Sequence, residues 1–236
     1  PQPIDFQKGK PAPVTLANLA GVFSMIISDS GGTAFEQPPT GSHAARCIAI
    51  IDLGTQRTTY EGEAQIKHQL IIRWELSNEL MTEGDYAGKP FTVSKFYTAS
   101  LHEKAGLRKD LAAWRGRDFT ADELRGFDLK TILGHPCMLS VGLSEKGKAK
   151  VTSVIGLPKG MSAPKQINPS FNFSLDVNQY TEAGFDALSK GFKEMVQASP
   201  EYQNIQKRKT NPQHEETTGK KLAAAGFEDM DDDIPF

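Results

Sequence analysis

The stretch AQIKHQLIIRWEL, residues 64–76, is the clearest strand signal in the chain and decides the fold. Its even-numbered positions are mostly apolar and its odd-numbered positions mostly polar. Side chains alternate between the two faces of a strand, so this pattern predicts one face on a core and the other toward water. Trp74 and His68 fall on the core face, where we expect a buried ring and a hydrogen-bonded core histidine rather than a stacking platform or a metal ligand. Lys67 and Arg73 fall on the face predicted to meet water.

Four further segments read as strands, because each is short, apolar-rich and bounded by Gly, Pro or polar residues. They are RCIAIIDL (46–53), PFTVSKFYT (90–98), PCMLSVGL (136–143) and KAKVTSVIGL (148–157). GTQRTTYEGE (54–63) is predicted to be the loop between the first two strands. In the last connection Lys146-Gly147 favours a tight hairpin.

Helical signals lie between the third and fourth strands and near the end of the chain. Ser100 and Glu103 have the spacing of a capping box, as have Thr120 and Glu123, and Gly134 is suited to ending the second helical segment. Residues 181–203 carry apolar side chains at helical spacing and predict one more helix.

Five short strands with a helix between the third and fourth have the element order of the oligonucleotide/oligosaccharide-binding (OB) fold, a five-stranded Greek-key barrel. We therefore predict a mainly β protein of this fold with an additional C-terminal helix. The predicted divisions are an N-terminal extension (1–30), the OB domain with its helix (31–203), a polar flexible linker (204–227) and an acidic tip (228–236).

Composition narrows the class of protein. The 236 residues, 38% of them hydrophobic, suffice for one domain with less ordered ends. No apolar run approaches the roughly 18 to 20 residues of a membrane span, and the N-terminus is too polar for a signal sequence, so we predict a cytoplasmic protein. Cys47 and Cys137 are too few for a disulfide framework or a four-cysteine zinc site and are interpreted as buried thiols.

Charge is divided unevenly along the chain. Residues 222–236 hold five acids and no base, which leaves 27 basic against 24 acidic residues, a net charge of +3, in the rest. Residues 89–117 hold seven basic and two acidic residues. Such a concentration indicates either a polyanion partner or an ordinary solvated face.

In the OB fold, ligands bind on the face of strands two and three, between the loops that join strands one to two and four to five. Single-stranded nucleic acid needs cations for its phosphates and aromatic faces for its bases. The residues predicted to supply them are Arg57, Tyr60, Lys67, Arg73, Lys95, Tyr97, Lys146, Lys148 and Lys150. A one-residue shift in strand three would exchange Lys95 and Tyr97 for Ser94 and Phe96, so the face of that strand stays open.

Catalytic motifs are lacking in the sequence: it has no P-loop, GxSxG, HExxH or CxxC pair. Asp110, Asp118, Asp122 and Glu123 are close together, as a metal-dependent nuclease would need, but capping and surface roles account for them. We predict that the protein is not an enzyme and uses no cofactor or metal.

Two resemblances add to this interpretation. The run SKFYTASLHEKAGLRKDLAAWRGRDFTADELRGFDLKTILGHPCML (94–139), with FDAL (185–188) and SPEYQ (199–203), resembles a family of bacteriophage proteins found among replication genes and regarded as OB-type single-stranded DNA-binding proteins. The last residues, DDDIPF (231–236), resemble the acidic C-terminal tip of bacterial single-stranded DNA-binding proteins.

The second resemblance implies a docking role for the tip. In those bacterial proteins the tip binds replication, recombination and repair enzymes. Here Phe236 and Pro235 would be the anchor, Ile234 a secondary contact, and Asp231, Asp232 and Asp233 the group that steers toward basic rims. The body and tip carry opposite charge, so the tip could also lie in the protein's own groove until DNA displaces it.

Together these observations predict a phage protein that coats single-stranded DNA in the host cytoplasm during replication or recombination and recruits phage or host enzymes. A homo-oligomer is possible. The alternative is a replication mediator or strand-annealing adaptor for which DNA binding is secondary.

Overall fold

The computed structural model describes residues 36–60 and 63–210, except for the side chains of residues 59 and 60. The predicted N-terminal extension, most of the linker and the acidic tip therefore lie outside the described residues. Within the described part the chain forms six strands and five helices, so the prediction of a mainly β protein with helical insertions is confirmed. None of the described helices has the length and apolar character needed to cross a membrane.

The strands are β1 (Gly41–Tyr60), β2 (Glu63–Leu80), β3 (Pro90–Thr98), β4 (Pro136–Leu143), β5 (Ala149–Ile155) and β6 (Phe171–Phe173). β1 and β2 are much longer than predicted, because residues 54–60, which we expected to form a loop, continue β1 and pair with β2 up to Glu63. The predicted hairpin between β4 and β5 is confirmed: Gly147 has a φ of 70° and donates its N–H to the Ser144 carbonyl at 2.8 Å.

One sheet contains all six strands, five of them in the order β3-β2-β1-β4-β5 with antiparallel pairing. The short β6 lies off this path and runs parallel to β1 beside Ala49–Ile51. The sheet is open, because β3 and β5 come near each other without being joined in the ladder of the described strands. Helix α1 (Gly106–Arg115) lies at this seam. Its Ala113 carbonyl accepts a hydrogen bond from the Gly156 N–H, directly after β5, at 3.3 Å.

The inner face of the sheet forms the main core. Leu70, Ile72, Trp74 and Leu76 of β2 are at most 5% exposed, as their alternation predicted. Trp74 lies 6.2 Å from Trp114 of α1, ring centroid to centroid, and Cys47 and Cys137 are both buried thiols. Burial raises the pKa of Cys47 to about 12, so this thiol stays protonated.

The outer face of β1 and β2 carries a second core, and here the prediction that the odd-numbered side of β2 meets water was wrong. Three helices, α3 (Glu182–Asp186), α4 (Lys190–Ala198) and α5 (Pro200–Thr210), cover it. Their apolar side chains pack with those of β1, β2 and β6: Ala49, Ile51, Leu53, Ile71, Phe173, Leu175, Phe185, Leu188, Phe192, Val196 and Ile205. The single predicted C-terminal helix is thus three helices, and α5 extends into residues 204–210, which we assigned to the linker.

A loop after β5 completes the outer layer. Glu75 of β2 is fully buried, and its carboxylate accepts hydrogen bonds from the backbone N–H groups of Ile167 and Asn168 at 2.6 and 2.8 Å and from the Asn168 side chain at 2.7 Å. Arg46, its cross-strand neighbour on β1, donates to the Pro164 carbonyl at 2.7 Å. The two opposite charges hold the loop of residues 157–170 against the sheet, because its backbone groups satisfy both.

Of the two capping boxes predicted in the helical insertion, only the second is present. Thr120 and Glu123 form the predicted capping box of α2 (Ala121–Arg125). The first capping box is absent, since α1 begins at Gly106 with no side-chain cap, while the Ser100 hydroxyl accepts a hydrogen bond from the His102 N–H.

Candidate nucleic-acid interface

The structure resolves which face of β3 is buried. Tyr97 is 5% exposed, and its hydroxyl donates to an Asp110 carboxylate oxygen at 2.7 Å, so its ring cannot stack on a base here. Lys95 points to the same side and pairs with the same oxygen at 2.6 Å. Of the two faces of β3 that the sequence left open, the one that carries Lys95 and Tyr97 is therefore the inner face. Both join β3 to α1 at the open seam of the sheet.

Burial and Asp110 explain the chemistry of this cluster. Desolvation, together with the hydrogen bond to a carboxylate, raises the pKa of Tyr97 well above its ordinary value, so the phenol remains a donor. Lys95 also lies 5.3 Å from the centroid of the Tyr97 ring. The Asp110 carboxylate accepts hydrogen bonds from both the Tyr97 hydroxyl and the Lys95 ammonium, which indicates a structural role for all three side chains.

Arg73 on β2 does not lie on an open face either. Its guanidinium carbon lies 6.0 Å from the centroid of the Phe192 ring of α4, and its Nε donates to the Ser94 hydroxyl at 2.9 Å. Desolvation lowers the pKa of Arg73 to about 10, still high enough to keep the charge at neutral pH. The helical layer thus takes the place on β2 that we had assigned to nucleic acid.

The opposite face of β3 is the exposed one. Thr92, Phe96 and Thr98 are exposed and Ser94 is half-buried. Phe96 is 49% exposed, and its ring makes an edge contact with Phe192 at a centroid distance of 6.2 Å. The sequence analysis named Phe96 only as the alternative to Tyr97, because it left the face of β3 undecided. The buried pair Phe91 and Val93, in phase with Tyr97, was the signal that could have assigned it.

Beyond the body of the sheet, β1 and β2 continue as a two-stranded ribbon, residues 54–60 paired with 63–69. Arg57 is exposed and lies opposite Ile66, which is 69% exposed. Lys67 is half-buried and lies opposite Gln56, on the other face of the ribbon from Arg57. The backbone of Tyr60 pairs with Glu63, but its side chain lies outside the described residues.

The base of the ribbon is fixed by a network that the sequence did not suggest. His68 bonds Asp52 of β1 at 2.6 Å and approaches Glu201 of α5 at 3.6 Å, while Glu201 also accepts from the Thr55 N–H at 2.9 Å. The hydrogen bond to Asp52 raises the pKa of His68. His68 is thus well partnered, as predicted, but its side chain is 39% exposed rather than part of a core.

The remaining predicted cations lie at the far end of β1. Lys146, Lys148 and Lys150, in and after the β4–β5 turn, are all exposed. The register places this turn beyond Gly41, whereas Arg57 lies near the other end of the same strand. The predicted basic residues therefore form two separate groups rather than one patch.

Strand β3 runs between these two groups. Thr98 pairs with Gln69 at the base of the ribbon, and Pro90 pairs with Leu80 at the other end of β2. Next to that end, Glu36 accepts from the Thr82 N–H at 2.7 Å. Gln37 accepts from the Ala149 N–H at 2.8 Å, beside the β4–β5 turn of Lys146, Lys148 and Lys150, here called the lysine turn. The nine residues of β3 span about 30 Å at roughly 3.3 Å per residue.

Much of the positive charge of residues 89–117 is neutralised internally. Arg108 pairs with Asp118 at 2.8 Å, and Arg115 and Arg117 both pair with Glu123. The guanidinium of Arg115 also lies over the rings of Phe119 and Phe127. Lys89, Lys104 and Lys109 remain exposed. Four of the seven basic side chains in this stretch are thus paired with acids, and only the three exposed lysines are available to a polyanion.

In comparisons with known proteins, no family model, curated protein or solved structure matches the chain. Among the described residues no three His, Cys, Asp or Glu side chains are grouped to hold a metal ion. The predicted docking residues Asp231, Asp232, Asp233, Ile234, Pro235 and Phe236 lie outside the described residues.

Proposed function

We propose that this protein binds single-stranded DNA along the exposed face of β3. The observation that carries the proposal is Phe96, a half-exposed aromatic ring on a strand that runs between the ribbon, with its exposed Arg57, and the exposed lysines of the β4–β5 turn. Base stacking on such a ring contributes roughly 1 to 3 kcal/mol, and phosphates favour the lysines and arginines at either end. A strand of about 30 Å also suits the roughly 4 to 16 nucleotides that one OB domain binds.

We propose further that the open sheet is an OB-type barrel. Its strand order joins β1 to both β2 and β4 and leaves the seam between β3 and β5, and an OB barrel is itself only partly closed. Helix α1, between the third and fourth strands, lies at that seam, with Asp110 bonded to β3 and Ala113 to the residue after β5. In this arrangement the ribbon is the loop from strand one to two and the lysine turn the loop from strand four to five.

The acidic tip supports a role in recruitment. Its resemblance to the tip of bacterial single-stranded DNA-binding proteins favours docking of Phe236 on replication, recombination or repair enzymes of the phage or its host. In this proposal the protein coats DNA exposed during phage replication or recombination in the bacterial cytoplasm and brings those enzymes to it.

The test is a fluorescence-anisotropy titration of a labelled dT oligonucleotide at several salt concentrations, with duplex DNA as competitor. Full-length protein, a version lacking residues 228–236 and the Phe96→Ala variant are compared. We expect tight, salt-sensitive, single-strand-selective binding that weakens in Phe96→Ala and strengthens without the tip. Weak binding with no preference for single strands would overturn the proposal. If strand annealing and stoichiometric partner complexes were then found, the mediator function would replace it.

A further inference from the structure

In the described part of the chain, the β2 edge of the ribbon has no neighbouring strand. β3 pairs with β2 only from Gln69 onward, and the last bond on that side joins the Ala99 N–H to the His68 carbonyl at 2.8 Å. Over residues 63–67 no third strand pairs with β2 in the described part of the chain. Unpaired edges of this kind are sites at which another strand can be added.

The direction of the backbone groups defines which pairing is possible. In an antiparallel ladder alternate residues bond to alternate sides. Ala64 and Ile66 are in phase with His68, so their N–H and C=O groups point to the same side as the His68 carbonyl, outward along the unpaired edge. An added strand must therefore pair through these two residues.

The sequence of this edge, EAQIK from Glu63 to Lys67, is complementary to itself. If a second copy pairs antiparallel about a two-fold axis through Gln65, Glu63 lies opposite the partner's Lys67 and Ala64 opposite the partner's Ile66. The two charged pairs then share one face of the new sheet and the two apolar pairs the other. This register also pairs Ala64 with Ile66 through their outward-facing backbone groups, so the side chains and the backbone require the same alignment.

The side chains along residues 63–67 are exposed enough for a second copy of the chain to pair there. Glu63 and Ala64 are exposed, and Ile66 at 69% is the most exposed of the large hydrophobic side chains described. The other edge of the ribbon lacks the complementarity, since pairing β1 with itself about Thr58 would place Arg57 opposite Thr59.

We infer that the edge of residues 63–67 joins two copies of this protein into a four-stranded antiparallel ribbon. The contact is isologous, because the same five residues serve both copies. Its area is small, so the association is weak in dilute solution and becomes effective where copies are held close together. On a DNA strand it would link neighbouring copies, a consequence that rests on the proposed function, whereas the pairing itself does not.

Reversing the charge of Glu63, of Lys67 or of both residues tests the inference. Lys67→Glu places Glu63 opposite a glutamate in both halves of the dimer, and Glu63→Lys places Lys67 opposite a lysine. We expect each single variant to raise the dimer dissociation constant on the order of tenfold, since like charges directly opposite one another are destabilising. The double variant E63K/K67E restores both pairs with their signs reversed and should recover self-association.

The measurement is sedimentation velocity of the full-length protein without DNA over a wide range of concentration. Lys159→Glu, at an exposed lysine in the loop after β5, makes the same change in net charge as Lys67→Glu and should leave the mass distribution unchanged. Far-UV circular dichroism and thermal unfolding show whether each variant is folded. A wild-type protein that stays monomeric, or a double variant no better than the single ones, would overturn the inference.

Titration of the same samples with labelled dT separates the two proposals. Loss of self-association with retained single-strand binding would leave the proposed function standing, and normal self-association without binding of single strands would leave only the ribbon contact.

Discussion

Neighbouring residues on β3 should respond in opposite ways to substitution, because Phe96 and Tyr97 lie on opposite faces of the strand. Phe96 is 49% exposed and Tyr97 is 5% exposed. Phe96→Ala removes a stacking platform worth roughly 1 to 3 kcal/mol per base, which corresponds to about a 5- to 150-fold loss of single-strand affinity. Its effect on stability is about 1 to 2 kcal/mol, from half a buried ring and one edge contact with Phe192.

Tyr97→Phe changes a single atom. It removes the hydroxyl that donates to Asp110 at 2.7 Å and leaves the ring in the core. A hydrogen bond to a charged group contributes about 1.5 to 3 kcal/mol, and the lower end applies here because Lys95 still pairs with the same oxygen. We therefore expect a loss of about 1.5 kcal/mol in the free energy of unfolding, with little change in DNA affinity.

Chemical denaturation and anisotropy with labelled dT, applied to both variants, provide the comparison. Each variant is the control for the other, since the two positions are adjacent and the two substitutions alter opposite faces of the same strand. If Tyr97→Phe weakened DNA binding while Phe96→Ala left it unchanged, the assignment of faces on β3 and the binding surface built on it would both be wrong.

Three other perturbations test separate parts of the structure. His68→Gln should reduce stability most at low pH, as thermal unfolding across pH would show. Asp52 raises the folded pKa of His68 above 6.5, so the stabilisation by His68 is complete below pH 6.5 and is lost as the pH rises through the folded pKa. Glu75→Ala should destabilise by about 3 kcal/mol or more, because it removes a fully buried carboxylate that accepts from the N–H groups of residues 167 and 168 and lies opposite Arg46. Glu75→Gln keeps an acceptor at this place and should lose less, and equal losses in chemical denaturation would contradict this account. Replacing Lys146 and Lys148 by Ala should lower the slope of log affinity against log salt by about 0.7 per lysine, and an unchanged slope would mean that the turn does not meet phosphates.

Local pattern predicted the parts of the fold in which neighbours in sequence are also neighbours in space. The inner face of β2, the β4–β5 hairpin and the capping box of α2 all depend on side chains within a few residues of one another. The boundary between β1 and β2 was misjudged because residues 54–60 are rich in Thr and polar groups. Such residues suit an exposed ribbon as well as a loop, and only the pairing partner distinguishes the two.

The outer face of β2 shows why the candidate site was only partly predictable. Arg73 and Glu75 are the residues that alternation assigns to water, yet one packs beneath Phe192 and the other bonds to Ile167 and Asn168. These partners lie about ninety or more positions away in sequence. No periodicity within β2 carries information about them, since a charge satisfied by distant backbone groups and a charge satisfied by water look the same in sequence.

The helical layer also changes which cations are available to a polyanion. It covers β2 but leaves Thr92, Phe96 and Thr98 of β3 exposed, and through Glu201 it holds the base of the ribbon at Thr55 and His68. The direction of the ribbon is therefore tied to α5, because a shift of that helix would move the carboxylate that both residues contact. Phe96, too, meets this layer through Phe192. The C-terminal helices thus contact both the stacking surface of β3 and the base of the arm that carries Arg57, and in this way they set the relative position of the two parts of the proposed DNA path.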